Sequence, residues 1–161
     1  MQQTLLSFAW GYERKNIFKK QIHNEVILYS YQAANAGIKT DEYREYATKQ
    51  IGYMLGDNGR SFLVGFGDNY PKQPHHKAAA CDSIPAECTW DTFNDVSNDN
   101  PHELLGALVG GPNDLSDTYT DIRTDYISNE VTLDYNAGFT GAVAGLKALA
   151  CNGNNQGTTG R

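Results

Sequence analysis

The sequence predicts an all-α chain whose helices are separated by long functional loops. Apolar residues recur at helical spacing in two stretches, residues 40–55 and 129–150. Between them, residues 56–101 hold four of the five prolines together with many glycines, asparagines and aspartates. Loops above about 12 to 15 residues are uncommon unless they are functional or disordered, so this length indicates a binding surface.

The first clear helix is predicted to begin at Thr40 and to end near Gly56. Thr40 is a preferred N-cap residue, and the acidic residues Asp41 and Glu42 suit the positive end of the helix dipole. Residues 22–33 allow another helix but carry no visible chemistry.

Two further helices are predicted downstream. A short one spans residues 101–110, since it starts with a proline and ends at a glycine. A long one spans about residues 129–150, with one apolar face directed inward. This start places Glu130 in the first turn and Asp134 on the same face. The polar, glycine-rich tail, residues 151–161, is expected to be loose.

Charge and hydropathy exclude two classes of partner. The net charge is −6 and the thirteen Lys and Arg residues are scattered, which disfavours nucleic-acid binding. No apolar run approaches the roughly 20 residues that span a bilayer, so no membrane association is expected. The opening residues "MQQTLLSFAW" lack a positive n-region and a long enough apolar core, so no signal peptide is predicted in this chain.

Three cysteines leave the redox state open. Cys81 and Cys88 could close a short disulfide loop, which would suit a secreted protein, and free thiols are an equally weighted alternative. Cys151 has no obvious partner.

The histidine segment, residues 61–77, reads "SFLVGFGDNYPKQPHHK". Its start is apolar enough for a short extended piece, and two prolines stiffen the path to His75 and His76. Alone, the segment is more typical of a polar surface loop than of a site. A zinc site is disfavoured, because adjacent histidines rarely point to one ion.

The acidic segment, residues 119–139, reads "YTDIRTDYISNEVTLDYNAGF". A general acid must hold its proton at working pH, whereas a helix N-terminus favours the ionised carboxylate. Burial or neighbouring carboxylates would therefore have to retain the proton on Glu130. Alone, the segment is more typical of a solvated helix start.

Together, the two segments resemble the signature motifs of glycoside hydrolase family 9, the inverting endoglucanases and related cellulases. The first is similar to the histidine signature at Ser61, Leu63, Val64, Gly67, Asn69, Pro74 and His75. The second is similar to the acidic signature at Tyr119, Asp121, Tyr126, Glu130, Thr132, Asn136 and Ala137. The stretches "GALVGGPND" and "DYNAGFTGAVAGL" also resemble the family, particularly its animal members. The resemblance covers about residues 40–150 and leaves residues 1–30 unassigned.

The resemblance implies a fold and an activity. The chain would be the C-terminal portion of one catalytic domain and form part of an (α/α)6 barrel. It would be a secreted endo-β-1,4-glucanase that binds β-1,4-glucan or cello-oligosaccharide. The catalytic roles would be general acid for Glu130, support of the site for Asp121 and contact with the glucosyl unit for His75. The substrate-binding residues would be His76, Lys77, Arg123, Tyr126 and Tyr135.

Two departures qualify this expectation. Lys77 stands where the family has arginine, and an ammonium cannot reproduce the bidentate fork of a guanidinium. An inverting hydrolase also needs a carboxylate base, which the family takes from an Asp-rich segment that this sequence lacks. The chain could therefore be inactive alone, a non-catalytic glucan-binding protein, or a fragment that needs an N-terminal complement.

No cofactor or bound metal is predicted. Asp95, Ser97 and Asp99 resemble a calcium loop in part, but Asn100 stands where an EF-hand has glycine. An ordinary acidic loop is the favoured interpretation, and a structural calcium ion is the alternative. The sequence does not indicate an oligomeric state.

Overall fold

A computed structural model of the chain describes residues 32, 36–112 and 117–155. Within residues 36–112 and 117–155 the α-helices are α1, Thr40–Leu55; α2, Trp90–Asn94; and α3, Leu133–Asn155. A 3-10 helix spans Lys77–Ala80. The chain divides into two compact units, one formed by Met1–Gly52 with Ala137–Arg161 and the other by Tyr53–Asn136. Each unit is described by itself.

The first unit contains most of α1 and α3. The predicted helix from Thr40 is confirmed, and its inward face is buried at Ala47 and Ile51. On α3, Phe139 and Ala142 are buried. Helix α3 includes residues 151–155, which the sequence had assigned to a loose tail. The helix allowed at residues 22–33 and the unassigned residues 1–30 lie outside the described part of the chain, apart from residue 32.

The second unit is organised around four short backbone segments. Leu63 pairs with Leu108 and Val109 with Val131, both antiparallel, and His75 pairs with Glu130 in parallel. Among the described residues these pairs are isolated bridges rather than regular strands. At the start of the histidine segment, where a short extended piece was expected, Leu63 forms a single bridge and a turn follows at Val64 and Gly65. The bridges bring His75 and Glu130 side by side, although 55 positions separate them in the sequence.

The predicted short helix over residues 101–110 is wrong. Gly106 has φ +82°, in the left-handed region that favours glycine, and it breaks the segment into a turn. Beyond it, Ala107 O accepts a hydrogen bond from Val64 N at 2.9 Å, and Leu108 N donates to Asn136 Oδ1 at 3.1 Å. Long-range partners therefore satisfy the backbone groups that a helix would have paired locally.

The predicted start of the last helix is also wrong. Helix α3 begins at Leu133, and the hydroxyl of Thr132 caps it by accepting a hydrogen bond from Tyr135 N at 3.1 Å. Glu130 precedes the helix and lies in the bridge with His75. It therefore does not share a helical face with Asp134, which is exposed in the first turn.

The long loop region of residues 56–101 is confirmed, but it contains helix α2, which the sequence did not predict. Thr89 and Thr92 form a capping box at its start, since Thr92 N donates to Thr89 Oγ1 at 3.2 Å and Thr89 N donates to Thr92 Oγ1 at 3.4 Å. Cys81 and Cys88 form a disulfide just before this helix, and Cys151 is free and exposed.

Candidate active site

The backbone of Glu130 is held on both sides. On one side, His75 N donates to Asn129 O at 2.7 Å, and on the other, Gly110 N donates to Glu130 O at 2.9 Å. The side chain is partly exposed, and its Oε2 accepts a hydrogen bond from the Tyr135 hydroxyl at 3.2 Å. The carboxyl group of Glu130 is therefore fixed in position and still accessible to a ligand.

Tyr135 acts as a donor to this carboxyl group. The tyrosine is only 5% exposed, and burial raises the pKa of Tyr135 to about 12, with the nearby Glu130 charge adding to the shift. The phenol consequently keeps its proton throughout the neutral range.

His75 has a fixed ring orientation. Its Nδ1 lies 2.6 Å from Arg123 O, and since a carbonyl oxygen can only accept, Nδ1 carries the proton. In the neutral ring Nε2 is then left as an acceptor. The imidazole packs edge-on against Phe93, with a centroid distance of 5.4 Å, and against Tyr126, at 6.3 Å. Tyr126 itself is 57% exposed and borders the site.

Asp121 binds the histidine segment. Its Oδ2 accepts a hydrogen bond from Lys72 N at 2.6 Å, and its Oδ1 accepts one from Gln73 N at 3.0 Å. Both carboxylate oxygens thus hold the backbone just before His75. The family resemblance implied that Asp121 supports the site, and this role stays a prediction.

Arg123 is buried, with 2% of its surface exposed. Its guanidinium donates to Asp95 O at 2.7 Å through Nη1 and to Asn98 O through Nη2. These carbonyls belong to the linking loop, residues 95–100, so the guanidinium joins the acidic segment to that loop. The role of Arg123 as a sugar contact stays a prediction, and its observed partners are backbone carbonyls.

The remaining predicted substrate contacts lie at the start of the 3-10 helix. His76 is exposed, and its Nδ1 accepts a hydrogen bond from Ala79 N at 3.1 Å, which caps this helix. Lys77 Nζ lies 4.1 Å from the centroid of the Trp90 ring. Neither side chain is paired with Glu130 or Asp121 in this arrangement.

Sequence reasoning missed the most deeply buried residue of the site. Asn129 is 0% exposed, its Oδ1 accepts a hydrogen bond from the Tyr119 hydroxyl, and its Nδ2 donates to Thr120 O at 2.9 Å. Its carbonyl also receives the His75 N–H. Its position directly before Glu130 was the only available signal, because a buried asparagine creates no apolar periodicity.

The linking loop contains the residues that resemble a calcium loop in the sequence. Asp95 Oδ1 accepts hydrogen bonds from Ser97 Oγ at 2.6 Å and Ser97 N at 3.1 Å, and these bonds lower the pKa of Asp95. Within the described ranges, no cluster of three or more His, Cys, Asp or Glu side chains could hold a metal ion. These hydrogen bonds form without a metal ion. A structural calcium ion at this loop stays a proposal.

The backbone bridge therefore places a residue with a partly exposed carboxyl group next to a residue with an oriented imidazole. Residues 2–143 match the sequence model of glycosyl hydrolase family 9, and the chain belongs to this family. This match begins at residue 2, whereas the resemblance of the sequence to the family covers only about residues 40–150. The all-α prediction, with the chain as part of an (α/α)6 barrel, is confirmed.

Named relatives agree with this assignment. An endoglucanase of Dictyostelium discoideum is 50% identical over 66% of this chain and 14% of its own length. The solved endoglucanase of the termite Nasutitermes takasagoensis is 48% identical with a TM-score of 0.77, covering 82% of this chain and 30% of that one. An endoglucanase of Clostridium thermocellum complexed with cellobiose and cellotriose is 44% identical with a TM-score of 0.58, covering 67% and 17%.

The chain spans only a small part of the relatives that it matches, between 14% and 30% of their length in these three cases. Among the described residues, no helix is both long and apolar enough to cross a bilayer.

Proposed function

We propose that this chain carries the general acid of an endo-β-1,4-glucanase, which hydrolyses internal β-1,4-glucosidic bonds with inversion. The observation that carries the proposal is the backbone pairing of His75 with Glu130, which holds an accessible carboxyl group beside an oriented imidazole. Membership of glycosyl hydrolase family 9 supplies the reaction class.

In this proposal Glu130 protonates the leaving glycosidic oxygen as the bond to the anomeric carbon breaks. Glu130 becomes a carboxylate in the same step, and the Tyr135 hydroxyl, which keeps its proton, stabilises the new charge by hydrogen bonding. His75 Nε2 accepts a hydrogen bond from a sugar hydroxyl and orients the ring at the scissile bond. Asp121 and Arg123 keep the loops in place.

Inversion also requires a base on the opposite face of the sugar, roughly 6.5–9.5 Å from the acid. Asp121 uses both oxygens to hold backbone N–H groups. Asp125 Oδ1 accepts hydrogen bonds from Ile127 N at 2.9 Å and Ser128 N at 3.1 Å. Both carboxylates are committed to shaping the acidic segment, so we propose that the base comes from a segment outside the described residues.

Replacement of Glu130 by glutamine tests the acid. Glutamine keeps the shape but cannot donate an acidic proton, and loss of a general acid typically costs about 10²- to 10⁴-fold in rate. Reducing sugar released from carboxymethyl cellulose would be measured for the wild type, Glu130→Gln and Glu45→Gln. Glu45 is an exposed residue that pairs with Lys49 at 2.6 Å, so its variant should match the wild type. Equal hydrolysis by all three proteins would contradict the proposal.

A second candidate is a non-catalytic glucan-binding protein. It is favoured by the commitment of Asp121 to backbone groups and by the exposed Tyr126 ring beside His75. Cello-oligosaccharide binding in a calorimeter without release of reducing sugar would select this candidate. If neither binding nor hydrolysis occurs, a fragment that needs its N-terminal complement would be favoured.

We also propose that the protein is secreted. The Cys81–Cys88 disulfide carries this proposal, since structural disulfides persist in oxidising compartments.

A further inference from the structure

Trp90 is a tryptophan with an exposed ring and a fixed position. Its side chain is 64% exposed, although it begins helix α2 and follows the capping box of Thr89 and Thr92. The ring packs perpendicular to Phe93 with a centroid distance of 5.8 Å, and Phe93 is only 5% exposed. The core therefore orients Trp90 while most of its surface remains open to a ligand.

A hydrogen-bond donor lies directly on this ring. Lys77 Nζ is 4.1 Å from the Trp90 centroid, which is a cation–π contact. A pyranose ring presents C–H groups that pack on an aromatic face and hydroxyls that accept hydrogen bonds around its edge. An aromatic surface beside an ammonium donor matches both parts of such a ligand.

The Trp90 ring also belongs to the same aromatic row as the candidate active site. Phe93 contacts the Trp90 ring on one side and the His75 ring, at 5.4 Å, on the other. His75 in turn contacts Tyr126, so the two exposed rings of Trp90 and Tyr126 belong to one series of ring contacts that includes the imidazole. The Trp90 ring is therefore linked to the His75 ring through one buried side chain, Phe93.

A covalent link connects the two elements that carry this pair. Lys77 begins the 3-10 helix and Trp90 begins α2, and these two helices contact each other. The Cys81–Cys88 disulfide closes the chain between them. The relative position of Lys77 and Trp90 is thus restrained before any ligand binds, which lowers the entropic cost of binding.

We infer that Trp90 and Lys77 form a glucosyl-binding subsite beside His75, which takes one pyranose ring of the β-1,4-glucan chain. This inference rests on the proposed function. Without sugar, the Lys77 ammonium covers the indole; with sugar bound, it leaves the ring face and donates to a hydroxyl. A single flexible ammonium can make this exchange more readily than a planar guanidinium, which gives the lysine at this position a specific role.

Tryptophan fluorescence tests the subsite directly, because the chain has only two tryptophans, Trp10 and Trp90. In Trp10→Phe, all tryptophan emission comes from Trp90. Titration with cellotetraose should then give a saturable change in emission, and acrylamide quenching should decrease in the bound state. An emission spectrum that does not change while calorimetry shows binding would overturn the inference.

Affinity measurements give a second test. Trp90→Ala should weaken cellotetraose binding about tenfold, since an aromatic contact of about 1.4 kcal/mol is lost. Trp90→Tyr keeps an aromatic face and should retain most of the affinity, which also controls for misfolding. Ile84→Ala alters a side chain that is 95% exposed in the same disulfide loop and should bind like the wild type. Equal affinity of Trp90→Ala and Ile84→Ala would contradict the subsite.

The two proposals fail in different ways. If Trp90→Ala binds normally while Glu130→Gln abolishes hydrolysis, the subsite is wrong and the proposed acid stands. If Trp90→Ala loses affinity while Glu130→Gln hydrolyses normally, the acid is wrong and the subsite stands. A wild-type chain that binds no cellotetraose would contradict the subsite and also the glucan-binding function on which it rests.

Discussion

Single polar residues hold the candidate site together by bonding to backbone groups of distant loops. Asp121 binds two N–H groups of the histidine segment, and Arg123 binds two carbonyls of the linking loop. Asn129 Oδ1 accepts a hydrogen bond from the Tyr119 hydroxyl, and Asn129 Nδ2 donates one to Thr120 O. These bonds hold the segments on which His75 and Glu130 lie.

Asn129→Ala should lower the free energy of unfolding. The substitution leaves the buried Tyr119 hydroxyl and Thr120 carbonyl without their partner, and each unsatisfied group costs about 1–3 kcal/mol. Urea unfolding followed by circular dichroism would measure the loss. Asn98→Ala is the matched control, since its exposed side-chain amide donates to the exposed Ser97 Oγ at 3.0 Å and its change should stay within about 0.5 kcal/mol. Equal free energies of unfolding for the two variants would contradict the predicted stabilising role of the Asn129 hydrogen bonds.

At the level of elements, short bridges rather than helices build the site. The segment after Gly106 and the segment around Glu130 were both expected to be helical, and both lie in isolated bridges. Helix α3 starts only at Leu133, where Thr132 caps it. In the bridges, backbone groups at Asn129 and Glu130 are hydrogen-bonded to two other segments. In the first turn of a helix, the backbone N–H groups would have no partner within the helix.

The disulfide loop is expected to stabilise the folded chain. Cys81 and Cys88 close a short loop, and the chain-entropy relation gives about 2–3 kcal/mol of stabilisation for that length. The double variant Cys81→Ala/Cys88→Ala should lose stability of this order in urea unfolding. Cys151→Ala, which removes a free exposed thiol, should change stability by less than about 0.5 kcal/mol. A double variant as stable as Cys151→Ala would contradict this role.

At the scale of the whole molecule, buried phenols make stability depend on alkaline pH. Burial is the largest cause of raised pKa values in both units, helped by Asp117 at Tyr53, by Asp121 at Tyr119 and by Glu130 at Tyr135. Among the tyrosines that the structure describes, the pKa is raised at Tyr46, Tyr53, Tyr119 and Tyr135. A raised pKa in the folded state means that folding favours the protonated form.

The folded chain should therefore lose stability as the pH rises above about 10. The stabilisation is complete below the usual tyrosine pKa of about 10 and is lost as the pH rises through the folded values, about 12 for Tyr135. Phenolate absorbance should increase in two phases, the later one together with loss of the helical circular dichroism signal. Tyr135→Phe should reduce the later phase. In urea a single phase near pH 10 is expected, and a single phase in the folded protein would contradict the prediction.

Part of the site was predictable from the sequence. The spacing of two segments identified His75 and Glu130 together, and the structure places them in one bridge. Asp121 bonds to the backbone just before His75, and its supporting role stays a prediction. The bonds of Asn129 and Arg123 were not predictable, because their partners are carbonyl and hydroxyl groups whose positions depend on how distant loops pack.

The sequence by itself determined helix α1, the long loop region and the family, since local periodicity, turn residues and motif spacing are encoded along the chain. Only the tertiary structure decided that Glu130 precedes helix α3, that residues 101–110 are not helical, and that Lys77 lies over Trp90. The physical reason is that each of these features depends on backbone hydrogen bonds or ring contacts between segments far apart in sequence. Such contacts compete with local helix propensity, and local patterns do not reveal which of the two prevails.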